Sequence, residues 1–160
     1  FGRKMLFNGI VLAQAIITAL GCMFYVGMQS VNPLLLILAC CICSLNFMAM
    51  NYALVYALDN IGMAIAVIIM VIQVAGSGGS YPVHVLPEFF QKLYNFMPFH
   101  YGMDMIRETI GGFYGHTYLR CAVIMLLMCV GFAIFGLLVY YPAKPINKLI
   151  AESKEKSGIM

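Results

Sequence analysis

The residues best equipped for chemistry sit in one stretch of the chain. His84, His100 and His116 are its three histidines, and Glu88, Asp104 and Glu108 lie among them. Imidazole and carboxylate together can hold a divalent metal. Their spacings are long and follow no ligand pattern, so they read as interfacial histidines and no metal is expected. The chain has no His-Glu-x-x-His, no paired intramembrane aspartates and no Gly-x-Ser-x-Gly, so no catalytic set emerges and no enzyme is expected. Gly76-Ser77-Gly78-Gly79 is rich in glycine but lacks the lysine of a phosphate-binding loop. It closes an apolar run, which places it at a helix C-terminus, the wrong end for phosphate. It suits a break that turns the chain, and no nucleotide or other cofactor is expected. The six cysteines all lie inside apolar runs, where free Cys packs as a small apolar residue.

A second set is charged. Asp104, Arg107 and Glu108 fall at i, i+3 and i+4, so Arg107 can reach Asp104 while Glu108 shares the face. Such a pair, if exposed, is worth only about 0–1 kcal/mol, so a latch would need partial burial. The plainer alternative is a solubilising face. A third set is polar, uncharged and embedded in apolar sequence. Gln14 and Thr18 align with Gly21; Gln73 aligns with Gly62, Ala66 and Gly76; Cys129, Ala133 and Gly136 form a small-residue stripe; Ser44, Asn46 and Asn51 share one run. Small and amide residues at helical spacing mark helix–helix contacts, with a substrate pathway as the alternative. No intramembrane charge suggests ion coupling.

These residues need apolar elements to carry them. Hydrophobic residues make up 63% of the 160 and charged residues 9%, with a mean hydropathy of +0.93. Too few polar groups exist to cover a soluble domain of this size. The expected fold is all-α and integral to the membrane, with four transmembrane helices over about 5–28, 34–58, 61–75 and 117–141. Pro33 can open the second span, Asp59-Asn60 breaks the run after it, and Pro142 and Pro145 are expected to stop the fourth. Lys and Arg bias sets orientation. Arg3, Lys4 and the tail lysines Lys144, Lys148, Lys154 and Lys156 put both ends in the cytoplasm, with a tail over 144–160. Residues 80–116 then lie outside. There Pro87 can open a helix with Phe89, Phe90, Leu93 and Phe96 on one face, and Pro98 interrupts it. A second helix over 99–110 can end at Gly111-Gly112. The density of Phe and Tyr points to a short extracellular hairpin that is interfacial or re-entrant. The net charge of +3 without a basic stripe argues against nucleic acid as a partner. Phe1 in place of Met gives the expectation of a piece of a longer protein.

The ordered set Gln73 to Pro82, Leu86-Pro87-Glu88-Phe89-Phe90, Asn95-Phe96-Met97-Pro98-Phe99-His100-Tyr101 and Arg107 resembles the C-terminal membrane region of the phage infection protein (Pip/YhgE) family, within the ABC-2 type transporter membrane domains. The resemblance implies a C-terminal membrane domain of a multi-pass protein in the cell membrane of a Gram-positive bacterium. It implies six spans in the whole protein, the last four of them here, and a large extracellular domain upstream. It further implies a permease-type exporter of unknown substrate that pairs as a homodimer, works with a separate ATPase subunit, and has a link to phage. An external gate would then use Gly76, Gly78, Gly79, Pro82, Pro87, Pro98, Asp104, Arg107 and Glu108. The alternative is a surface phage receptor or secretion scaffold whose helices only anchor the extracellular domain.

Overall fold

The computed structural model describes residues 2–77, 83–112 and 115–157, with side chains over 6–77, 84–112 and 115–141. Among these residues every regular element is a helix. The first, α1 (Gly2–Phe24), ends where Gly21 carbonyl accepts from the Tyr25 and Val26 amides and Gly27 turns the chain at φ +71°. It stops four residues short of the expected span because that left-handed turn lies before Met28.

The next helix, α2 (Pro33–Gly76), has 44 residues, with Pro33 in its first turn. A straight helix of that length would run about 66 Å, twice the hydrocarbon thickness of a bilayer. It is not straight. Asp59 takes φ 50° and ψ −125°, and the chain folds back there. Gln73 Nε2 donates to Met50 Sδ at 3.1 Å, two residues that an unbroken helix would hold about 35 Å apart. Ala66 packs against Met50 and Leu54 in the same way. The helix is therefore two antiparallel arms, 33–58 and 60–76. Because Gln73 pairs with Met50, the shorter arm ends at the level of residue 47, well short of Pro33.

A single 3-10 turn (Val83–Val85) precedes α3 (Glu88–Tyr94) and α4 (Pro98–Gly111). Gly112, at φ +103°, donates its amide to Glu108 carbonyl and closes α4. The last helix, α5, runs Thr117–Ser157. Pro142 and Pro145 do not stop it, contrary to expectation. Each proline lacks only its own amide hydrogen bond, and the bonds of neighbouring residues continue the helix.

Two packed clusters tie these elements together. Ala39, Met105, Tyr118, Cys121, Ala122 and Met125 join the start of α2, α4 and the start of α5. Met50, Leu54 and Ala66, with Phe132 against them, join the two arms of α2 to the middle of α5. The outward faces are as apolar as the inward ones. Ile17, Val67 and Leu127 are 69%, 64% and 66% exposed, and Leu6–Phe24, Pro33–Gly76 and Thr117–Tyr141 are each long and apolar enough to cross a membrane. A helix surface that is apolar inside and out is solvated by lipid, so the protein is a membrane protein.

Candidate functional site

The site is built by α3, α4 and the helices that grip them. Pro87 opens α3, its carbonyl accepting from the amides of Phe90 and Gln91. The Gln91 side chain reaches back to the Leu86 carbonyl at 2.7 Å. The helix ends in a tight turn, with Phe96 and Met97 amides donating to Leu93 and Tyr94 carbonyls. Pro98 then starts α4 in its first turn, where a missing amide is harmless.

The α4 helix runs antiparallel to the first arm of α2, contact by contact. The Phe99 ring meets Phe47 edge-on at 5.8 Å. Gly102 faces Cys43, where an added Cβ would lie 2.6 Å from Sγ. Met105 packs with Ala39, and Thr109 carbonyl accepts from the Val31 amide at 2.9 Å. So α4 starts beside Phe47, fourteen residues or about 21 Å along the axis from Pro33, and climbs back to Pro33. It continues upward where the short arm of α2 stops. Tyr118 fastens the other side, its amide donating to Glu108 Oε2 at 2.9 Å and its hydroxyl to the Leu35 carbonyl at 2.9 Å.

The expected gate residues take separate places. Gly76 is buried under the hairpin, where a Cβ would sit 3.0 Å from the Phe90 ring and 3.3 Å from Met97 sulfur. Gly78, Gly79 and Pro82 lie outside the described residues. Pro87 and Pro98 start the two hairpin helices. Arg107 approaches Asp104 at 3.5 Å, with side chains 54% and 36% exposed. Glu108 instead turns to α5, where its carboxylate takes a first-turn amide and meets the positive end of the helix dipole. Nothing in the spacing of the acidic residues points to that role.

His100 is buried, its Nδ1 2.9 Å from the Met97 carbonyl and its ring between Tyr94 and Tyr101. His84 and His116 are exposed. Among the described residues no group of His, Cys, Asp and Glu converges on a metal position.

The polar residues of the long helices also divide. Gln14 and Thr18 are exposed, and Thr18 Oγ1 bonds the Gln14 carbonyl at 2.8 Å. Ala15 and Ala19 carry the buried face of α1, and Ser44 of α2 donates to Val11 carbonyl at 3.2 Å. Asn51 is half-buried. Asn46 is fully buried and its Nδ2 donates to the Met125 carbonyl at 2.5 Å, tying α2 to α5. Gly62, Ala66, Gln73 and Gly76 are all buried. The Oδ1 of Asn46 and Oε1 of Gln73 are buried with no hydrogen-bond partner among the described residues.

Beneath the turn between α3 and α4 lies a cleft of about 560 Å³. The first arm of α2 contributes Met50 and Leu54, the second Gln73, the hairpin Phe96 and Met97, and α5 Phe132. Among the described residues Gln73 is the one polar side chain in its wall. The cleft is large enough, and its described lining apolar enough, to take up an apolar molecule.

Comparison with known proteins places this architecture. The family described as ABC-2 type transporter matches residues 2–110. The uncharacterized protein YhgE of Bacillus subtilis (strain 168) is 30% identical over 122 residues, which cover 76% of this chain and 16% of YhgE. The chain thus spans about one-sixth of the length of that relative. No solved structure matches. Helices apolar on both faces, a hairpin packed against them and a family match over most of the chain agree: the chain belongs to the ABC-2 type transporter family, as part of its membrane domain.

Proposed function

We propose that this chain is the permease-type part of an exporter-like protein in the cell membrane of a Gram-positive bacterium. It crosses four times, with α1, each arm of α2 and α5 as the crossings and both ends in the cytoplasm. The second arm of α2 is short for a crossing, and α4 completes it. The α3–α4 hairpin is then re-entrant from outside and serves as the outer gate, with Asp104 and Arg107 as a polar latch near its rim. A homodimer and a separate ATPase subunit would supply the pathway and the energy, and phage is a further partner. The substrate is carried past the hairpin.

One observation carries this reading. The start of α4 lies beside Phe47, about 21 Å along α2 from Pro33, directly above the cleft. Irregular backbone at such depth is tolerated where protein or a cavity surrounds it, and it recurs where substrates pass. A hairpin in that position must move for the cleft to open outward.

The test locks it in place. Phe47→Cys and Phe99→Cys are introduced into the full-length protein on a cysteine-free background and joined by a short reducible crosslinker. A gate gives at least a tenfold loss of transport or phage sensitivity on locking, restored by reductant. A receptor or scaffold that uses its helices only as anchors keeps full function when locked, and that result would refute the gate.

A further inference from the structure

We propose that the cleft under the hairpin holds a membrane amphiphile in passage, its apolar chain filling the cleft and a hydrogen-bond donor of its head group received by Gln73 Oε1. Three observations point to it. Among the described residues the wall is apolar apart from Gln73, and the volume of about 560 Å³ falls within the range of small-molecule sites. Gln73 is only 3% exposed, its Oε1 lacks a partner among the described residues, and its Nε2 is spent on the weak acceptor Met50 Sδ. An unpaired amide oxygen in an apolar setting is unfavourable unless a donor arrives. The ligand that relieves it must bring both a donor and an apolar body.

Depth separates cargo from an ordinary lipid. Gln73 pairs with Met50, seventeen residues or about 26 Å along α2 from Pro33. That level is also about 14 Å from the turn at Asp59, so the head of a resident lipid, held at either membrane surface, does not reach it. A head group that crosses the bilayer must leave water, and Gln73 offers it a hydrogen bond where the alternative is none. The route in is lateral. Phe96 and Phe135 line the cleft and are themselves 73% and 48% exposed, on faces that lipid covers. Only the status of the amphiphile as cargo rests on the transport reading; occupancy of the cleft does not.

The experiment measures occupancy directly. The full-length protein is reconstituted in phosphatidylcholine vesicles and labelled with a diazirine-bearing long-chain fatty alcohol. The methyl ether of the same chain, which lacks the donor, is the control. The expected adducts fall on peptides that contain Met50, Gln73 and Met97. The alcohol should label more strongly than the ether by about 2- to 12-fold, the effect of one hydrogen bond. Gln73→Leu should remove that preference while keeping the labelling itself. Gly131→Phe should abolish labelling, because Gly131 lines the cleft and an added Cβ there meets nothing within 4 Å. The labelling of another peptide outside the cleft reports that this variant is folded. Unchanged labelling in Gly131→Phe, or equal labelling by alcohol and ether in the parent, would overturn the proposal. So would a photoreactive residue at Ile72 that captures another helix of the longer protein instead of the probe. Each of these results leaves the locked-hairpin test untouched, so the two proposals fail separately.

Discussion

The folding back of α2 is most sharply tested at Gly62. A Cβ added there would lie 2.1 Å from the Leu54 carbonyl oxygen, 2.6 Å from its carbon and 3.0 Å from Val55 Cα. All three atoms are backbone, so no rotamer change relieves the contact. The arms must separate by about 1 Å before dispersion becomes attractive again. The turn at Asp59 acts as a pivot only about 3–5 Å from Gly62 along the axis, whereas Gln73 is about 20 Å away. If the short arm swings rigidly, 1 Å at Gly62 becomes about 5 Å at Gln73, and the Gln73–Met50 contact is lost. If it slides instead, a gap of 1 Å still forfeits a quarter to a half of each contact along Ala66 and Ile69. Gly62→Ala should therefore destabilise by about 3 kcal/mol, the upper end for overpacking. Gly9→Ala and Gly21→Ala are the controls, since a Cβ at either meets nothing within 4 Å. There the higher helix propensity of Ala, about 1 kcal/mol, should make the change neutral or stabilising. Denaturation in mixed micelles reads the stability, and crosslinking of Met50→Cys with Gln73→Cys reads the geometry. Gly62→Ala matching the controls in both measurements would show that the arms do not meet as described.

Three more outcomes are expected. Asp59 sits at φ 50° and ψ −125°, a region that glycine enters readily, so Asp59→Gly should stabilise by about 1 kcal/mol in the same denaturation assay while Asp59→Ala does not. Glu108→Ala removes the acceptor of the Tyr118 amide, at a loss of about 1 kcal/mol, and exchange of that amide should quicken about fivefold, with Glu108→Gln in between. Arg107→Ala breaks a half-exposed pair and should leave abundance unchanged; if the latch acts, transport or phage sensitivity changes all the same, and Arg107→Lys restores only part of it.

The sequence announces its elements through punctuation. Pro33, Pro87, Pro98 and Gly112 each sit at a helix boundary in the structure, because each fixes or frees one dihedral locally and needs no partner. Asp59 and Asn60 interrupt an apolar run, and the chain reverses at Asp59. Faces are legible only in part. Two stripes look alike in spacing, yet Gly62, Ala66, Gln73 and Gly76 are buried while Gln14, Thr18 and Gly21 are exposed. Periodicity locates a face but not the neighbour that covers it. Glu108 misleads for the same reason: local spacing sets it on the face of Asp104 and Arg107, whereas the fold brings the Tyr118 amide to it. The cleft has no sequence signature at all, since it is space left between four segments far apart in the chain.

How the helices cohere suggests where the molecule gives way. Between apolar helices in lipid, burial of apolar surface supplies no net drive, so close packing and hydrogen bonds must hold them. The first arm of α2, α4 and α5 have both. Gly102 admits the Cys43 side chain and Gly136 admits the Ala53 backbone, and Asn46, Tyr118 and Glu108 supply hydrogen bonds between elements. The short arm of α2 has the close contact at Gly62, beside its turn, then the packing of Ala66 on Met50 and Leu54, and farther up the weak Gln73–Met50 bond and the touch of Gly76 on Phe90 and Met97. Its anchorage thus weakens with distance from Asp59. The cleft opens along that weakening seam, between the short arm, the α3 end of the hairpin and the better-tied remainder. A motion that admits a molecule there breaks one sulfur hydrogen bond and a few dispersion contacts, whereas any motion of α4 away from α5 must break the Glu108 bond to the Tyr118 amide. The short arm and α3 therefore give way first, and the gate opens fully only when α4 follows at the further cost of the Glu108 bond.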